Sequence, residues 1–278
     1  MRVSLEVSYP KDRKQERQAL ALLCDCFPRL KRSYFLNRIF LDPRYEKRNS
    51  LILIKGGSII SYLHMFKRDI WHKGKRMKFV GLGEICTSGQ CRGRGYASLL
   101  IREAVRRCES SIISLFTKTP GYYRRFGFSL IKRKKVLIKK QAWLPVSLPG
   151  MRLRRFSYRL DIAQAAKLHR SFFSGLSGFA LRNKLDWLSQ LKYFNEEKSL
   201  FLVLIAQGKM LAYIRCKRLR QAPERSVEIV EYACANSGID CLPYFISHLF
   251  SSCGFEEVIF SKVYSGGGKS GLRGNERI

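Results

Sequence analysis

Two apolar rhythms share this chain, one with a period of two and one with a period near 3.6. SLILIK (50–55) and SIISYLHMF (58–66) are strand-like runs joined by Gly56 and Gly57, a pattern that predicts a β-hairpin. RDIWHKGKRMKF (68–79) places Lys73-Gly74 between alternating segments and predicts the next hairpin, and KFVGLGEICT (78–87) continues as a strand. Residues 1–10 also alternate. From Ala97 the apolar positions 97, 100, 101, 104, 105 and 108 form the stripe of an amphipathic helix. Helical patterns over 14–27 and 33–40, a strand at 111–116, a short helix or turn at 120–128 and a closing strand at 134–140 complete this half.

A similar order returns further on. Strand 151–158, helices 161–173 and 182–191, strands 199–206, 210–217 and 226–235, a helix with apolar positions 239, 242, 245, 246, 249 and 250, and strand 256–263 repeat the plan without clear identity of residues. The reading is α/β: two tandem domains, each a mixed twisted sheet flanked by helices. QAWLPVSLPG, with two prolines and no charge, places a linker at 141–150 between a first domain over 1–140 and a degenerate second domain over 151–262. A flexible glycine-rich tail is expected over 263–278; its GGGKS lacks the earlier glycine of a P-loop, since Val263 stands there.

Composition narrows the setting. With 278 residues and 46% hydrophobic content the chain has ample material for two cores. No apolar run reaches eighteen residues and the first ten do not resemble a secretory leader, so no membrane span and a cytoplasmic location are expected. The nine cysteines are scattered without a CxxC pair, and no histidine stands at metal-ligand spacing from them, so reduced thiols and no metal are expected. The net charge of +32 is concentrated in residues 1–140, where 33 Lys and Arg face 10 Asp and Glu. Such a surface attracts polyanions, and weak nucleic-acid binding through it is a further expectation.

The chemistry gathers between the strand at 78–87 and the helix from Ala97. A strand that delivers small residues into a helix N-terminus turns unpaired backbone N–H groups and the positive end of the helix dipole toward one point. Gly93 and Gly95 let the backbone close on an anion, and Arg92 and Arg94 add charge-assisted hydrogen bonds.

Arg92-Gly93-Arg94-Gly95-Tyr96-Ala97 resembles the acyl-CoA pyrophosphate loop of the GCN5-related N-acetyltransferases, the GNAT superfamily. The register beginning at Gln90 satisfies the same pattern, but only the later one sets the last small residue at the start of the helix. About 25 residues on, Tyr122-Tyr123-Arg124-Arg125-Phe126-Gly127-Phe128 is similar to the family's second motif, a tyrosine four residues before Gly-Phe. Two tandem GNAT-like domains with an intact first loop resemble the enhanced-intracellular-survival (Eis-like) branch, strongly over 78–128 and by architecture elsewhere.

That resemblance implies transfer of an acetyl group from acetyl-CoA to a primary amine by direct attack in a ternary complex, with no metal and an oligomer left open. It implies Tyr123 as the acid that protonates the departing thiolate, with Tyr122 as the fallback. Ile85, Cys86 and Thr87 would pair through their backbone with the pantetheine arm, and Arg92, Gly93, Arg94, Gly95, Tyr96 and Ala97 would hold the pyrophosphate. Glu84, on the same strand, is the candidate base, or it faces solvent or pairs with a lysine. Glu228 and Glu231, with Glu196 and Glu197 nearby in sequence, are candidates for an acidic patch toward a cationic acceptor, or are simply solvated. An aminoacyl-tRNA-dependent transferase of related tandem fold and a non-catalytic nucleic-acid-binding module are the alternatives.

Overall fold

Asp12 begins the first helix, α1 (Arg13–Cys26), by accepting a hydrogen bond from Gln15 N at 2.8 Å, and Gln15 Oε1 accepts from Lys11 N at 2.8 Å. The computed structural model describes residues 5–109, 112–131, 135–174, 176–196, 199–219, 225–235 and 240–261. They form two units, one of residues up to Ile70 with Lys75–Ile131, the other of Trp71–Gly74 with residues from 135 onward.

In the first unit, strands β1 (Leu5–Ser8), β2 (Ser50–Lys55), β3 (Ser58–His72), β4 (Lys75–Thr87) and β5 (Ile112–Leu115) lie in the order β1-β2-β3-β4-β5. β1, β2 and β3 pair antiparallel, whereas β4 and β5 pair parallel through the crossover helix α3 (Tyr96–Arg107). The sheet is covered on both faces, which is why β2 reads as a continuous apolar run. Ile52 turns to the face that packs Leu20 and Leu23 of α1, Phe35 of the short α2 (Arg32–Phe35) and Ile39. Leu51 and Leu53 turn to the face packed by Leu100, Ile101 and Ala104 of α3. After α2 the chain makes a π-turn over Leu36–Phe40.

The second unit repeats the plan with strands β6 (Lys135–Lys139), β7 (Arg152–Arg155), β9 (Leu200–Ala206), β10 (Lys209–Arg218), β11 (Ser226–Cys234) and β12 (Glu257–Ser261) in the order β6-β12-β11-β10-β9-β7. A two-residue β8 (Phe179–Ala180) follows Gly178, whose N–H donates to the Trp71 carbonyl at 2.7 Å. Helix α7 (Leu242–Ser251) covers one face with Phe245 and Leu249; α5 (Tyr158–Phe173) and α6 (Lys184–Glu196) cover the other with Leu168 and Trp187.

Two expectations change. The strand at 134–140, read as closing the first sheet, pairs antiparallel with β12 in the second, Val258 opposite Ile138. Local pattern marks a strand but carries no information on which sheet edge receives it. Residues 141–150, read as a linker, pack Trp143 and Leu148 against the second core, and Trp143 Nε1 donates to Ser247 Oγ at 2.9 Å. The tail at 263–278 lies outside the described residues.

Candidate active site

The parallel ladder between β4 and β5 runs from Phe79 opposite Ile112 to Leu82 opposite Leu115, and β5 ends there. β4 continues five residues further, to Thr87, with no strand on its β5 side among the described residues. Ile85, Cys86 and Thr87 occupy this projecting piece. Backbone groups on an unpaired strand edge are open to a ligand that can hydrogen-bond as a strand would.

Alternation holds across it. Ile85 packs on the α3 face with Tyr96 and Tyr123, while Cys86, only 7% exposed, packs on the α1 face. The Ser61 hydroxyl donates to the Cys86 carbonyl at 2.7 Å, and the Thr87 carbonyl accepts from Cys26 Sγ at 3.4 Å and from Arg92 Nε at 3.2 Å. The neighbouring Cys86 thiol and then Arg92 lower the Cys26 pKa, against the opposing effect of burial. Arg92 is therefore tied back to the strand end as well as placed at the loop.

Beyond Thr87 comes a short turn at Gly89–Cys91, then Gly93 at φ 77° and Gly95 at φ 78°. Left-handed backbone at these two positions favours glycine, and a Cβ built on either would meet nothing within 4 Å. Gly95 is the N-cap of α3 and offers no side chain to its first turn, so the N–H groups of Tyr96, Ala97 and Ser98 point outward without an intrahelical acceptor. Arg94, like Arg92, is exposed beside them. Open space, N–H donors, a helix dipole and two guanidinium groups fit a diphosphate.

The second motif forms α4 (Pro120–Arg124) and the turn after it, closed by Gly127 at φ 86°. Its two tyrosines have different surroundings. The Tyr122 hydroxyl is 3.1 Å from Ser98 Oγ, which also accepts from Arg125 at 3.0 Å, and the Arg125 guanidinium lies 4.3 Å over the Tyr122 ring. Tyr122 thus braces the second motif on α3. Tyr123 packs edge-on against Tyr122 and Phe128; burial and then the Tyr122 oxygen raise its pKa, with a hydrogen bond from Thr117 opposing them. A phenol so placed stays protonated at neutral pH, as a general acid must.

Glu84 stands two residues past the last position of β4 paired with β5, at φ 53°, a conformation uncommon for glutamate and one that accumulates at functional sites. It neither faces solvent nor pairs with a lysine. Its side chain is 9% exposed, with Arg38 Nε 3.1 Å from Oε1 and the Tyr34 hydroxyl donating at 3.4 Å. Burial pushes the carboxyl above its ordinary range, against the pull of Arg38 and Tyr34. The Arg38 guanidinium rests 5.2 Å over the Phe66 ring and 5.6 Å over Tyr34. Neither Arg38 nor Phe66 was among the residues expected here; the four-residue spacing of Tyr34 and Arg38, one helix face, was the signal present in the sequence.

The second unit holds a counterpart. β11 and β12 pair in parallel as far as Ile229 opposite Phe260, and Glu231 follows two residues later, as Glu84 follows Leu82. Glu231 is saturated: Arg182 donates to both oxygens at 2.8 and 2.5 Å, Tyr213 donates at 2.9 Å and Arg215 at 3.4 Å. Burial alone would raise its pKa, but Arg182 and Arg215 hold it far below the usual range. Glu228 pairs with Lys135 at 2.7 Å. The acidic patch expected from these two glutamates is therefore already neutralised.

Comparison with known proteins agrees with this geometry. The acetyltransferase (GNAT) domain family model matches residues 10–131. No curated protein sequence matches the chain. Among solved structures, a GCN5-related N-acetyltransferase from Anabaena variabilis superposes with a TM-score of 0.74 at 14% identity, covering 94% of this chain and 66% of that one. Eis1 from Mycobacterium abscessus gives 0.66 at 12% identity over 92% and 65%. N-myristoyltransferase from Saccharomyces cerevisiae, with bound myristoyl-CoA, gives 0.59 at 12% identity over 93% and 76%. The chain spans about 66% of the length of the first two kinds of relative. No helix among the described residues is long and apolar enough to cross a membrane. Residues 10–131 thus match an acetyltransferase (GNAT) domain and hold the unpaired end of β4 and the glycine loop on the N-terminus of α3, within a chain whose fold is similar to those of solved GCN5-related N-acetyltransferases.

Proposed function

We propose that the chain transfers an acetyl group from acetyl-CoA to a primary amine in a ternary complex. The observation that carries this reading is the five-residue overhang of β4 beyond Leu82, followed through the glycine loop by a helix N-terminus without a side-chain cap, flanked by Arg92 and Arg94. The pyrophosphate would sit on the N–H groups of Tyr96, Ala97 and Ser98, and the pantetheine arm would pair with the backbone of Ile85, Cys86 and Thr87.

Glu84 takes a proton from the acceptor ammonium, and the free amine attacks the thioester carbonyl to form a tetrahedral intermediate. The C–S bond then breaks and the thiolate takes the Tyr123 phenolic proton. The second proton of the new amide nitrogen returns to the Tyr123 oxygen, so free CoA, the amide and one proton on Glu84 remain. The raised pKa of Glu84 makes it a better proton acceptor than an exposed carboxylate.

Calorimetric titration with acetyl-CoA at two salt concentrations tests the donor site, beside a Gly95→Glu variant whose fold is checked by melting. The expected result is one-to-one binding that survives salt and is lost in the variant, because a carboxylate fills the anion cradle. Binding that fades with salt equally in both proteins would make the basic surface, and not the loop, the polyanion site.

A further inference from the structure

We infer that the acceptor is an α-amino acid, whose ammonium meets Glu84 while its carboxylate is taken by Arg38. This rests on Glu84 as the base and names the substrate class of the same site.

Exposure sets the order of encounter. The Arg38 side chain is 44% exposed and that of Glu84 only 9%, so a molecule approaching the carboxylate meets the guanidinium first. Arg38 is held by its π-turn and by the rings of Phe66 and Tyr34 beneath it. A stacked guanidinium is a preorganised fork for a carboxylate. Two carboxylates of this unit are already paired, Asp42 with Arg68 and Asp69 with Arg44 and Arg76.

The pair itself selects a zwitterion. Opening the pair strands the buried Glu84 carboxylate, and an amine without a carboxylate would engage Glu84 while leaving the half-exposed Arg38 to water alone. An α-amino acid replaces both partners at once, ammonium for guanidinium and carboxylate for carboxylate. Truncating one partner of such a pair weakens recognition by about 30-fold or more.

The test measures release of CoA thiol from acetyl-CoA by the full chain with each of the common α-amino acids, with their α-carboxamides and with spermidine. The expected result is a kcat/KM for at least one amino acid about 30-fold or more above that of its carboxamide, with spermidine poorer still. Arg38→Gln should erase that preference by lowering the amino-acid value, and Arg38→Lys, which keeps the charge but not the fork, should fall between. Melting curves of both variants establish that they fold.

A carboxamide, peptide or polyamine used as well as the free amino acid, or turnover with no amino acid, overturns the proposal. So does an Arg38→Gln variant that shifts the pH profile equally for both members of a pair and keeps the preference, since Arg38 would then only tune Glu84. Glu84→Gln separates the underlying reading: full turnover in that variant sinks the base role alone, whereas a lost preference in Arg38→Gln still reports carboxylate recognition.

Discussion

Gly83 lies directly beneath the ring of Phe66: a Cβ built on the glycine would stand 2.8 Å from Phe66 Cε2 and 3.3 Å from Cδ2. The ring has little room to retreat, since His64 packs edge-on against it at 4.6 Å and the Arg38 guanidinium covers it at 5.2 Å. The residue preceding Glu84 is thus as small as possible so that the aromatic platform beneath Arg38 can close.

Gly83→Ala should accordingly destabilise the chain by about 1–3 kcal/mol through overpacking. Urea denaturation measures this, and pairing the substitution with Phe66→Leu should recover part of the loss. A Gly83→Ala chain as stable as its parent would mean that the ring is not confined there.

The two adjacent tyrosines should separate kinetically. Tyr123→Phe removes the proposed proton donor and should lower kcat by about 10²–10⁴-fold with acetyl-CoA affinity unchanged. Tyr122→Phe deletes only the hydroxyl that meets Ser98, so its main effect should be on stability. Thiol-release kinetics and calorimetry on both variants decide it; equal kcat losses would remove the distinction between them.

In the second unit, Glu231→Gln should be among the most damaging single changes. Arg182 and Arg215 would be left as two guanidinium groups buried without their counter-ion, a loss of about 3–5 kcal/mol. Chemical denaturation measures it, and a loss below 1 kcal/mol would show that the arginines relax to solvent.

Acid should weaken the fold before the carboxylates titrate. Burial lowers the pKa of His64 to about 3 and that of His169 to about 4, against an ordinary value near 6.5. Above about pH 6.5 neither affects stability. As the pH falls below it, the unfolded chain takes up protons that the folded chain refuses, costing up to about 1.4 kcal/mol per pH unit for each histidine. This continues to about pH 4 for His169 and about pH 3 for His64. Unfolding free energies from urea denaturation at pH 7.5 and 5.5 should therefore differ by up to about 3 kcal/mol for the two histidines together, and His64→Gln should reduce the difference; an unchanged slope would assign the acid sensitivity elsewhere.

The legible parts of this molecule were those governed by neighbours in the chain. Alternation and 3.6-residue stripes placed the β2–β3 and β3–β4 hairpins and α3 within a few residues of where they lie, because side-chain periodicity follows directly from backbone geometry. Gly93 and Gly95 were readable as loop residues for the same local reason, and both are left-handed. Glu84 was visible only as a carboxylate on a strand.

What tertiary structure decided depends on residues far apart in sequence. The strand Lys135–Lys139 is equally strand-like in either sheet, and only the free edge of β12 assigns it to the second. Glu84 and Glu231 occupy matching positions two residues past the last parallel pair, yet one carboxyl stays raised in pKa with a single arginine and the other is saturated by two. That difference between a candidate base and a structural ion cluster is set by Arg38 on one side and by Arg182 and Arg215 on the other. The physical reason is that a carboxylate's proton affinity depends on burial and nearby charge, which only the folded chain brings to it.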